Sequence, residues 1–156
     1  MPINLKKKFG QNFLVDQNIL SKISNLIHSD NLKVLEIGPG DGRLTDKIIS
    51  KRPSLLTLIE IDKDLIKNLN KKYLYNKRIK LVNEDILNYE IKKGYELVIS
   101  NLPYNISSQI LVKLSIMDII PDTLILMFQK EFAQRLLEKK LNAINSLVCC
   151  FYNYQQ

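Results

Sequence analysis

The 156 residues are 46% apolar and 25% charged, with 23 Lys and Arg against 16 Asp and Glu for a formal net charge of +7. That length supports one domain burying roughly two-thirds of its unfolded surface, without a metal or disulfide staple. No window approaches the run of about 20 apolar residues that a membrane span needs, and the basic start at Lys6, Lys7 and Lys8 leads into Phe9-Gly10-Gln11-Asn12 instead of an apolar signal core, so a soluble cytoplasmic protein with a polyanionic partner is expected.

In chain order, Val15, Ile19, Leu20, Ile23, Leu26 and Ile27 recur at helical spacing and predict a helix over Asp16–His28. His28, the only histidine, reads as structural at its end. The apolar run Lys33–Ile37 predicts a buried strand, and it runs into Gly38-Pro39-Gly40-Asp41-Gly42 ahead of a helix over Arg43–Lys51. A glycine-rich turn at the carboxyl end of a strand is where open α/β sheets bind ligands. Glycine suits it because the backbone must come close to a ligand and adopt angles that a β-carbon forbids. A dinucleotide turn would be G-x-G-x-x-G. Here the third glycine comes one residue early, Arg43 follows it and the acidic Glu36 precedes it, a pattern that favours S-adenosylmethionine over NAD.

The next strand, Leu55–Glu60, ends in Glu60-Ile61-Asp62, where a carboxylate can accept from both hydroxyls of a ribose; Glu60 is the stronger candidate and Asp62 caps a helix over Lys63–Lys72. Lys71, Lys72, Lys77, Arg78 and Lys80 read as a solvated helix end and loop. The strand Ile79–Asn83 is followed by Asp85, placed to meet an adenine amino group. Singly, these features could be a tight turn, a surface carboxylate and a helix cap. Their occurrence at three successive strand ends is harder to explain that way.

A fourth strand over Glu96–Ser100 leads into Asn101-Leu102-Pro103-Tyr104, then a helix over Ser107–Met117 capped by Ser107 or Ser108. A fifth strand, Thr123–Met127, is followed by Phe128-Gln129-Lys130-Glu131, which reads as core packing and the start of a helix over Lys130–Lys139. A sixth strand spans Ser146–Tyr154. There Cys149 and Cys150 would point to opposite faces, unsuited to a mutual disulfide or a metal clamp, and are expected as buried thiols. Alternating strands and helices predict a parallel, doubly wound α/β sheet.

The run Asn101-Leu-Pro-Tyr-Asn-Ile-Ser107 resembles the ribosomal RNA adenine dimethyltransferases, as do Phe9-Gly-Gln-Asn-Phe-Leu14, Glu36-Ile-Gly-Pro-Gly40, and Met127-Phe-Gln-Lys-Glu131 followed by Ala133 and Arg135, all in family order. The resemblance implies one S-adenosylmethionine-dependent methyltransferase domain over residues 1–156 with a Rossmann-like, mostly parallel sheet. It implies cofactor contacts at Asn12, Leu14, Gly38, Gly40, Glu60, Asp85 and Asn101, and methyl transfer at Asn101, Leu102, Pro103 and Tyr104 without a metal. In that reading the Asn101 side chain and the Leu102 or Pro103 carbonyl accept the hydrogens of the target amine, Pro103 fixes the backbone and Tyr104 stacks on the base. Lys6, Lys7, Lys8, Lys130 and Arg135 are candidate RNA contacts, and small-subunit ribosomal RNA, within a subunit precursor, is the expected partner.

Members of that family continue into a seventh strand, a second stacking aromatic and a small helical domain. The sequence is therefore expected to be truncated after about the sixth strand, with the segment Leu136–Asn145 shortened and the apolar edge Leu147–Tyr152 open to self-association. Other readings are a macrolide-resistance-type methylase of large-subunit RNA, a non-catalytic RNA-binding assembly factor, and an inactive fragment.

Overall fold

The computed structural model describes residues 13–118, 121–138 and 147–152. The elements are α1 (Gln17–Asn25), β1 (Lys33–Ile37), α2 (Arg43–Ser50), β2 (Leu55–Glu60), α3 (Lys63–Lys72), β3 (Ile79–Asn83), β4 (Leu97–Asn101), α4 (Ser107–Ser115), β5 (Thr123–Gln129), α5 (Lys130–Glu138) and β6 (Leu147–Tyr152). The strands form one sheet in the order β3-β2-β1-β4-β5-β6, and every pairing is parallel. The chain starts in the middle of the sheet, winds outward to β3, and returns to the other side of β1 as β4. The carboxyl ends of β1 and β4 therefore mark the switch point, where such sheets open a crevice.

Side-chain alternation sorts the strand residues into two cores, which is why the strands are apolar throughout instead of every second residue. On one face Val34, Leu56, Leu58, Ile99 and Met127 pack with Leu20 and Ile23 of α1 and Ile48 of α2. On the other, Leu35, Ile37, Val98, Leu124 and Leu126 pack with Ile110 and Leu114 of α4 and Ala133 of α5. Edge position shows in β3, whose residues are at most half-buried. Among the described residues nothing pairs with the outer side of β6; the thiols of Cys149 and Cys150, the apolar side chains of Leu147–Tyr152 and most of the segment 136–145 lie outside the described residues. No helix among the described residues is long and apolar enough to cross a membrane.

Local chemistry sets most of the boundaries. Asp16 caps α1, its Oδ1 accepting from the N–H groups of Asn18 (2.8 Å) and Ile19 (3.3 Å), and Asp62 caps α3 by accepting from Asp64 N–H (3.0 Å). Neither Ser107 nor Ser108 caps α4. Its N-cap is Ile106, without a side-chain bond, because a turn closed by Ile106 N–H on the Pro103 carbonyl feeds straight into the helix. The Ser107 hydroxyl turns back to donate to the Tyr104 carbonyl (3.3 Å). β4 begins one residue later than expected, at Leu97, although the Glu96 N–H still donates to the Lys33 carbonyl (2.9 Å) and the Glu96 carboxylate accepts from Lys33 N–H (2.8 Å). His28 is exposed, three residues beyond the end of α1.

Candidate active site

A cavity of about 330 Å³ opens at the carboxyl ends of β1, β2 and β4. Its wall takes Glu36 and the turn 38–41 from β1, Glu60 from β2, Glu84, Asp85 and Ile86 from beyond β3, and Asn101, Leu102 and Pro103 from β4, with Leu14 closing it from the amino-terminal side. Separate strand ends meet there because every strand points the same way. The Ser100 hydroxyl, fully buried, donates to the Ile37 carbonyl (2.7 Å) and ties β1 to β4 at the switch point.

Gly38, Gly40 and Gly42 all have positive φ, but they face different surroundings. A Cβ on Gly38 would meet nothing within 4 Å, so the space beside it is open to a ligand. At Gly40 a Cβ would stand 2.9 Å from the Phe13 ring, and at Gly42 it would stand 2.5 Å from the Tyr73 hydroxyl. Gly38 thus leaves room for a ligand, whereas Gly42 leaves room for the protein. The Tyr73 hydroxyl sits 2.8 Å from Asp46 Oδ1 and 2.9 Å from the Gly42 carbonyl. Lys72, expected at a solvated helix end, pairs with Asp46 (2.7 Å) and donates to the Gly42 carbonyl (3.3 Å). The end of α3 therefore clamps the start of α2.

Two carboxylates organise the cavity. Glu60 Oε1 accepts from Asp62 N–H (2.9 Å) and Oε2 from Gly40 N–H (3.3 Å), which binds the glycine turn to β2. Four lone-pair sites leave it capacity for further donors. Burial raises its pKa, opposed by those backbone bonds. Glu36 is almost wholly buried. Its Oε2 accepts from the Thr45 hydroxyl (2.7 Å), while Oε1 has no hydrogen-bond partner among the described residues. Burial pushes this carboxyl up to about 8. An unpartnered buried oxygen is costly unless something else meets it, and it suits the cationic end of a ligand.

At the far end Asp85 Oδ1 accepts from Leu87 N–H (2.9 Å), so the residue also holds its own turn. Ile61 and Ile86, directly after the two acids, add apolar wall. A pocket of this size with a positive-φ glycine opening on empty space, a buried carboxylate with one oxygen unpartnered among the described residues and two further acids fits an adenosyl sulfonium carrying an amino acid. Beside the glycine turn, at the end of the neighbouring strand, half-buried Asn101 and buried Leu102 line the cavity; Tyr104, in sequence between lining residues Pro103 and Asn105, is 41% exposed and outside its wall.

The expected cofactor residues Leu14, Gly38, Gly40, Glu60, Asp85 and Asn101 thus come together around one cavity, while Asn12, Lys6, Lys7 and Lys8 lie outside the described residues. Lys130 and Arg135 are exposed on α5 and do not line the cavity; the Arg135 guanidinium lies over the Phe132 ring at 5.8 Å. Sequence reasoning missed Phe13, Thr45 and Tyr73, whose contacts with Gly40, Glu36 and Gly42 cross between elements.

Residues 3–154 match the family model described as ribosomal RNA adenine dimethylase. The chain belongs to that family. Among the dimethylase family's curated relatives, ribosomal RNA small subunit methyltransferase A of Pelagibacter ubique is 43% identical over 150 residues, 92% of this chain and 56% of its own length; the chain spans about half the length of the curated relatives it matches. Two solved structures share the dimethylase fold at 32% identity. A dimethyladenosine transferase from Plasmodium falciparum has a TM-score of 0.74, covering 81% of this chain and 46% of that one. The 23S rRNA methyltransferase ErmE has a TM-score of 0.73, covering 83% and 52%.

Proposed function

We propose that the chain is a methyltransferase domain that uses S-adenosylmethionine to dimethylate the exocyclic amines of adenines in small-subunit ribosomal RNA. The observation that carries this is the one cavity that the glycine turn, Glu36, Glu60 and Asp85 share with Asn101 and Leu102. A cofactor-type site and an amine-accepting motif open on the same space.

In this reading Glu60 accepts from the ribose hydroxyls, Asp85 from the adenine amino group, and the unpartnered Glu36 oxygen faces the amino-acid end, with Gly38 giving the backbone close approach. Asn12 and Leu14 complete the cofactor contacts. S-adenosylmethionine, when bound, supplies a methyl group on a sulfonium centre. The chain's own task is the amine, whose lone pair is delocalised into the base. Asn101 and one backbone carbonyl accept its two hydrogens, stabilising the positive charge that develops on nitrogen. The Pro103 carbonyl already serves the turn by accepting from Ile106 N–H, so the Leu102 carbonyl is assigned this role. Tyr104, exposed beside the cavity mouth, stacks on the base, and buried Leu102 and Ile110 keep water from the reacting atoms. The amine's surplus proton leaves to solvent, so no strong base is required.

The match to small-subunit enzymes at 42–43% identity favours that substrate over large-subunit RNA, although ErmE shares the fold. A single domain over residues 1–156, a cytoplasmic location where ribosomal subunits mature, and self-association through the outer edge of β6 belong to the same reading. The test is methyl incorporation from labelled S-adenosylmethionine into small-subunit and large-subunit ribosomal RNA. Incorporation is expected into the small-subunit RNA only, falling by about 10²–10³-fold in Asn101→Ala. RNA binding without incorporation, unchanged by Asn101→Ala, would establish the assembly-factor reading instead.

A further inference from the structure

The stretch 71–80 holds five cations, Lys71, Lys72, Lys77, Arg78 and Lys80, and no acid, leaving 18 cations against 16 acids in the rest of the chain. Part of this has an ordinary explanation. Lys71 and Lys72 face the negative end of the α3 dipole, Lys72 is paired with Asp46, and charge at Lys80 discourages pairing at the sheet edge. None of these accounts for Lys77 and Arg78, which are exposed and have no ion pair among the described residues. Nor do they account for Tyr75, 92% exposed beside Leu74 at 68%.

The loop holds these side chains on a fixed backbone. Asn76 N–H donates to the Tyr73 carbonyl (2.9 Å), Ile79 N–H to the Asn76 carbonyl (3.0 Å) and Leu56 N–H to the Arg78 carbonyl (2.8 Å), while Asn76 Oδ1 accepts from Arg78 N–H (3.2 Å). A solvated aromatic ring flanked by unpaired cations on a held loop is what a nucleic-acid surface needs: the ring stacks on a base and the cations meet phosphates. The loop enters the amino end of β3, one five-residue strand or roughly 16 Å from the carboxyl end where Asp85 follows, while the Lys72 and Tyr73 side chains at its near end reach the back of the glycine turn. Tyr75, Lys77 and Arg78 do not line the cavity, so they are not the target-base site, and a folded RNA is large enough to reach both the loop and the cavity.

We propose that the 71–80 segment is a second RNA-docking surface, with Tyr75 stacking on an unpaired base and Lys77 and Arg78 on neighbouring phosphates, an inference that rests on ribosomal RNA being the substrate. The test measures binding of the chain to a small-subunit ribosomal RNA transcript between about 50 and 200 mM salt. Lys77→Gln/Arg78→Gln is compared with Tyr75→Ala and with Lys92→Gln/Lys93→Gln, which removes equal charge from another exposed loop. The first variant is expected to weaken binding about ten-fold and to flatten the log–log salt slope by about 1–2. Tyr75→Ala is expected to weaken it about five-fold or more with the slope kept, and the Lys92/Lys93 variant by no more than about two-fold. Unchanged calorimetric binding of S-adenosylmethionine shows that each variant is folded. Equal losses in the two double variants, or none in any, would overturn the docking surface alone, whereas no RNA affinity in the unsubstituted chain would overturn the substrate reading along with it.

Discussion

The two sides of the cavity are held in different ways. Around the glycine turn nearly every group is bonded to another element: Gly40 to Glu60, Gly42 to Tyr73 and Lys72, Glu36 to Thr45, and Gly38 N–H to the Ile59 carbonyl (2.9 Å). The turn after β4 is closed largely on itself, by Ile106 N–H on Pro103 and the Ser107 hydroxyl on Tyr104, with Tyr104 partly exposed. One side is pre-organised, which lowers the ordering cost of binding a small ligand. In the proposed function the other keeps an aromatic side chain free to settle on a base that must first leave its stack.

The comparison breaks most severely at Glu60. Glu60→Ala removes both the proposed ribose acceptor and the anchor of Gly40 N–H, so the dissociation constant for S-adenosylmethionine is expected to rise on the order of 10²-fold by calorimetry. A rise below about three-fold would show that the turn holds without it. On the opposite side, Tyr104→Ala is expected to raise the KM for RNA about ten-fold and leave the cofactor constant unchanged. If both constants moved together, the two sides would not be separable.

The smallest effect concerns pH. The folded pKa of Glu36, at about 8, lies above its ordinary 4.5, so the neutral acid's advantage is complete below about 4.5 and is lost as pH rises through about 8. The Tm of the ligand-free chain is therefore expected to fall more from about pH 6 to about pH 8.5 than that of Glu36→Gln, whose side chain cannot ionise. Parallel Tm curves for the two would place the titrating group elsewhere, Glu60 being the next raised carboxyl.

The sheet was legible in the sequence because each strand is an apolar run ending in a residue of different chemistry: Glu60 and Asn101 end their strands and Asp85 follows β3 closely. Parallel winding carries such residues to one edge, so reading strand ends amounted to reading the site. What escaped was non-local. Thr45 looks like any polar residue of a helix until the helix lays it against Glu36. Lys72 and Tyr73 look like a solvated helix end until α3 brings them to a turn some thirty residues earlier. The serines of α4 mislead because Ser and Thr favour caps in general, while the Pro103–Ile106 turn supplies this helix with a backbone start of its own.

The 2.5 Å that would separate a Cβ on Gly42 from the Tyr73 hydroxyl ties the evolution of two positions together. While the tyrosine stays, position 42 has no room for a side chain. With phenylalanine at 73 that hydroxyl is gone, and what remains is the left-handed backbone at φ +82, which asparagine tolerates better than other side chains, and the ends of two flexible side chains that must give slightly, Leu69 Cδ2 at 3.1 Å and Lys72 Nζ at 3.2 Å. Positions 42 and 73 should therefore drift as a pair across homologues, with asparagine entering the first only after the second has lost its oxygen.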